Sequence, residues 1–95
     1  MSETFQLPSI LDLLAAEGLK DKVVSILDGG ESLVLDASEV SRITTPCVQI
    51  LIAASTELQA NHNDLKLAAS SQVFEDAMRD LGFENFLNSW RASDE

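Results

Sequence analysis

The sequence predicts a single α/β domain with mainly parallel strands in one small sheet. Three observations lead there. Short apolar runs alternate with longer stretches whose apolar residues recur every three or four positions, in the order strand, helix, strand, helix, strand, helix, helix. In such an alternation each new strand joins the sheet parallel to the last through a right-handed crossover. The 95 residues suffice for one domain with one core, and no long linker, repeat or low-complexity segment divides them.

Each element has its own warrant. Phe5, Leu7, Ile10 and Leu11 alternate weakly around Pro8, which removes a ladder donor, so this stretch is an edge strand or two short pieces. Beginning at Leu13 or Leu14, a helix turns Leu14, Ala15, Leu19, Val23, Ile26 and Leu27 to one face. Asp28-Gly29-Gly30 ends it, with glycine available for a left-handed cap. Leu33-Val34-Leu35 reads as a strand covered on both faces. The link Val40-Ser41-Arg42-Ile43 leads to Thr44-Thr45-Pro46, and proline suits the first helical position.

The second helix runs from about Pro46 to Ala60. Val48, Leu51, Ile52 and Ser55 define its inner face, and Ile50, Ala53 and Ala54 broaden it. With three nearly apolar turns it is well buried or partly an interface. Asn61 to Asp64 is a turn, and Leu65 to Ala69 a short strand. Ser71 caps a third helix, where Glu75 and Asp76 favour the dipole and Val73, Phe74, Ala77, Met78 and Leu81 form the apolar face. Gly82 stops it. Phe83, Phe86, Leu87 and Trp90 mark a last short helix before a polar tail, Arg91 to Glu95.

Composition narrows the function. The formal net charge of −10 repels nucleic acid and anionic lipid and leaves proteins as the expected partners. One cysteine cannot close an internal disulfide. The start of the chain lacks the pattern of a signal peptide. The longest uncharged run, Ile43 to Thr56, falls short of the roughly 20 residues that span a bilayer. These features point to a soluble, cytoplasmic protein with no direct membrane insertion.

Function is expected where the second strand hands over to the second helix. Thr45 is the residue of most interest. As N-cap its hydroxyl would accept a hydrogen bond from the first turn, a role worth about 1 kcal/mol. As a phosphoacceptor it would place phosphate on the positive end of the helix, where added charge could release a bound partner. Cys47 in the first turn reads as a small packed hydrophobe, with a redox role the lesser alternative. Asp36 ends the strand beside this loop and is placed to order it. One histidine and one cysteine supply too few ligands for a metal site, and no paired acid and base stand out. The expectation is a non-enzyme without cofactors.

The run Leu11-Asp12-Leu13, Ala16-Glu17-Gly18-Leu19, Leu27 and Leu33-Val34-Leu35-Asp36-Ala37-Ser38, with Val40 and Ile43 beyond, resembles the STAS domain of anti-sigma-factor antagonists. The resemblance covers about residues 5 to 90. It implies a four- or five-stranded mixed sheet flanked by about four helices, and reversible binding to a protein, often an anti-sigma kinase. In that family the segment after the connector reads Asp, Ser or Thr, a small residue, then Gly. Thr45 falls on the phosphoacceptor position, while Thr44, Pro46 and Cys47 depart from the pattern.

The stretch Cys47-Val48-Gln49-Ile50-Leu51, with Leu7-Pro8 and Leu11-Asp12-Leu13, is similar to small stand-alone STAS proteins that accompany alphaproteobacterial chemotaxis genes. The resemblance therefore implies a signalling adaptor, without catalysis of its own, that acts on the chemotaxis histidine kinase or its response-regulator traffic. Its docking face would comprise Asp36, Ser38, Arg42, Thr44, Thr45, Pro46, Cys47 and Gln49. Two alternatives share the fold: an anti-sigma antagonist switched at Thr45, and an accessory subunit of a lipid-transport ABC complex.

Overall fold

The computed structural model describes residues 2–30 and 32–92. Its elements are β1 (Ser2–Gln6), β2 (Ile10–Leu11), α1 (Leu13–Asp28), β3 (Ser32–Ala37), β4 (Arg42–Ile43), α2 (Thr45–Ala60), β5 (Leu65–Ser70), α3 (Gln72–Asp80) and α4 (Glu84–Ala92). The main sheet is ordered β1-β3-β5, and β2 pairs with β4 in a separate ribbon. Every one of these pairings is parallel. The expected α/β class, a small sheet flanked by about four helices, holds. The main sheet has three strands rather than four or five, with β2 and β4 paired apart, and the pairings are parallel rather than mixed. The split has a local cause. Pro8 interrupts the first stretch, giving the two short pieces, and the turn after Ala37 separates β4 from β3.

The order β1-β3-β5 advances one strand at a time, so right-handed crossovers place α1 and α2 side by side on one face. Burial along β3 follows. Leu33, Leu35 and Ala37 are buried, whereas Ser32, Val34 and Asp36 are only half-buried. The expectation of a strand covered on both faces gives way to one covered face and one partly open. Beneath the helices the core joins Leu7, Leu11, Leu33, Leu35, Leu51 and Leu58, each at most 1% exposed. Burying a leucine contributes about 1.5–3 kcal/mol relative to leaving it exposed.

Helix ends follow ordinary capping chemistry. Asp12 caps α1 by accepting from the Ala15 amide at 3.1 Å, and Ser71 caps α3 by accepting from the Phe74 amide at 3.2 Å. After α1, Gly30 adopts the left-handed conformation (φ 71°), as Gly82 does after α3 (φ 85°). The last helix reaches further than its apolar spacing indicates. Arg91 lies within α4, where its guanidinium meets Glu75 at 3.3 Å, so the polar tail begins later. Residues 93–95 of that tail lie outside the described residues. The Trp90 indole N–H donates to the Ser55 hydroxyl at 3.0 Å, tying α4 to α2 through the core.

Candidate functional site

The connector between β3 and α2 is sewn down from three sides. Asp36 Oδ1 accepts from the Ser38 amide at 3.0 Å and its hydroxyl at 2.6 Å, closing a tight turn directly after the strand. These two bonds from Ser38, the hydroxyl's first, hold the Asp36 carboxyl below its ordinary value against a weaker opposing push from burial. The Ser9 carbonyl accepts from the amides of Ser41 and Arg42 at 2.8 and 3.1 Å. On the other flank the Ser71 hydroxyl donates to the Val40 carbonyl at 2.5 Å. Asp36 therefore orders the loop, as its position in the sequence implies.

The start of α2 departs from the expected capping. Thr44, rather than Thr45, occupies the N-cap position, with extended backbone (φ −106°, ψ 161°). Its hydroxyl makes no cap bond because it donates to the Leu11 carbonyl at 3.1 Å, alongside the Thr44 amide at 3.0 Å. Thr45 is the first helical residue and Pro46 the second, one position later than expected. Proline remains acceptable there because amides of the first turn have no intrahelical partner. Cys47 is fully buried, and its thiol donates to the Asp12 carbonyl at 3.5 Å. The packed-hydrophobe reading of Cys47 fits this geometry.

Of the residues expected to form a docking face, Thr45, Pro46 and Gln49 are exposed at neighbouring positions of one helix face. Arg42 is exposed on β4 opposite Ile10, and Ser38 is exposed at the connector. Thr44 is half-buried and Cys47 fully buried, so both lie beneath the face and fix it from behind.

Three apolar residues beside this face escaped the pattern reading. Ile10 is 49% exposed, Leu13 71% and Leu14 90%. The Asp12 and Leu11 carbonyls, which hold Cys47 and Thr44, place the first turn of α1 next to that of α2. The expectation that Leu14 belongs to the inner face of α1 is thus corrected. The signal was present: at about 100° per residue, Leu14 lies roughly 180° around the helix from buried Val23.

Among the described residues no group of three or more His, Cys, Asp or Glu side chains is placed to hold a metal. No helix among them is long and apolar enough to cross a membrane. The arrangement presents hydroxyl, amide and apolar groups outward from the two helix starts.

A parallel α/β layer that turns one fixed loop and two adjacent helix starts outward defines a small binding domain. The chain belongs to the STAS domain family, for residues 2–88 match the family model described as Mlab, STAS domain. No curated protein matches the chain significantly. STAS domains are generally non-catalytic and mediate protein–protein interaction, with the fold of anti-sigma-factor antagonists.

Proposed function

We propose that the chain is a non-enzymatic signalling adaptor that binds a histidine-kinase-type protein kinase in chemotaxis signal transduction. The observation that carries this reading is the outward presentation of Thr45, Pro46 and Gln49 on a helical turn anchored from behind by Thr44 and Cys47. A face held in this way loses little conformational freedom on binding, so its contacts convert more fully into affinity. Exposed Leu13 and Leu14 beside it supply the apolar centre that a specific interface needs. The net charge of −10 favours encounter with a basic partner surface.

A second reading is supported by the exposure of Thr45 at the positive end of α2. Phosphate there would be received by the helix start and would put two negative charges into the docking face, releasing an anti-sigma kinase. Capture from native lysate, with mass spectrometry of the partners and of the intact chain, separates the readings. A chemotaxis histidine kinase with an unmodified chain is the expected result. An anti-sigma kinase with phosphorylated Thr45 would replace the adaptor by the switch. An ATPase subunit would assign the face to a lipid-transport ABC complex.

A further inference from the structure

Between α1 and α2, along the stretch of α2 that begins at Ile50, about 8 Å by helical rise from Thr45, lies a groove of about 460 Å³. Its walls carry Val24 and Leu27 from α1 and Ile50 and Ala53 from α2. Val24 is 45% exposed, whereas Val23 and Ile26 of the same helix are buried. The rim is acidic. Asp28 and Glu57 stand at the C-terminal ends of the two helices, and neither helix has a basic residue in its last turn. Both C-termini therefore add the negative ends of their dipoles to two carboxylates, and Lys20, further up the groove, is the one cation on its lining.

An apolar floor between two helices, bounded by negative charge, complements a helix with an apolar stripe and lysine or arginine on its flanks. We propose that this groove is a docking site for a short basic amphipathic helix of a partner protein. Its lining shares no residue with the face formed by Thr45, Pro46 and Gln49. A second copy of the chain is a poor occupant, because its own surface carries the same excess of acid.

The test uses the full chain, isotopically labelled, and two synthetic peptides of about 14 residues, roughly four helical turns. Both carry a leucine stripe, flanked in one by lysines and in the other by glutamates. With the lysine peptide, the amide resonances of Val24, Leu27, Ile50 and Ala53 are expected to move together and saturate at one peptide per chain. Combining Asp28→Asn with Glu57→Gln should weaken binding about fivefold, as should raising the salt. Ala53→Arg should abolish it while leaving the circular dichroism spectrum unchanged. The proposal is overturned by equal binding of the glutamate peptide, by shifts centred on Thr45, or by no saturable binding. It is equally overturned by a dimer that Ala53→Arg converts to monomer, which would give the groove to a second copy.

Discussion

The two adjacent threonines at the start of α2 should differ sharply in their contribution to stability. The Thr44 hydroxyl donates to the Leu11 carbonyl at 3.1 Å from a half-buried position and thereby fastens α2 to β2. Thr44→Val keeps the shape and the extended backbone, which a β-branched residue adopts readily. It removes one neutral hydrogen bond, worth about 0.5–1.5 kcal/mol net. The Leu11 carbonyl keeps its bond from the Thr44 amide at 3.0 Å, so no orphaned acceptor adds to the cost. The expected loss is about 1 kcal/mol, which lowers the melting temperature by roughly 4–8 °C in a domain of this size. With a urea dependence of roughly 1 kcal/mol/M, the midpoint should fall by about 1 M. Thr45→Ala removes an exposed hydroxyl that caps nothing, and its effect should stay within about 0.5 kcal/mol. Urea unfolding followed by circular dichroism measures both variants. A neutral Thr44→Val with a loss of 1 kcal/mol or more for Thr45→Ala would refute the assignment of the N-cap.

Three further outcomes follow from the same geometry. Ser71→Ala removes the cap of α3 and the partner of the Val40 carbonyl, so a loss of about 2 kcal/mol is expected by urea unfolding; a variant as stable as wild type would contradict the double role. Because the Asp36 carboxyl titrates below its unfolded value, the tether to Ser38 is present above the unfolded pKa and is lost as pH falls through the lower folded value. In a pH titration by NMR the Ser38 amide should therefore move with a midpoint below 3.8, and a midpoint at or above it would sever the link. Leu14→Ser should leave stability within about 0.5 kcal/mol while Leu19→Ala costs about 2–5 kcal/mol; equal losses in thermal unfolding would return Leu14 to the core.

Much of the fold was legible because it rests on local chemistry. Ser71, Gly30 and Gly82 announce helix ends through conformational preferences that hold wherever the residue stands. Pro8 broke the first strand for the same reason. What escaped the sequence was set by distant partners. Whether Thr44 or Thr45 caps α2 depends on the Leu11 carbonyl, 33 residues away in the chain. The ribbon of β2 and β4 holds only two residues per strand, too few for any alternation to appear. Val34 is as apolar as its neighbours, yet it lies on the sheet face that the crossovers leave partly open. The site divides in the same way. Asp36 and Ser38 form a turn within three residues, which the sequence foreshadows, whereas the apolar patch of Ile10, Leu13 and Leu14 exists because α1 and α2 begin side by side.

The central claim, that the exposed start of α2 is the docking face, is tested most directly at Thr45. Calorimetric titration of the captured kinase into the wild-type chain and into Thr45→Asp reads the contribution of that position alone. Aspartate at the first helical position suits the dipole, so folding is preserved while one charge enters the face. The expected result is binding at least about tenfold weaker, corresponding to about 1.4 kcal/mol, with an unchanged unfolding midpoint. Unchanged affinity would place the partner elsewhere on the molecule and contradict the account.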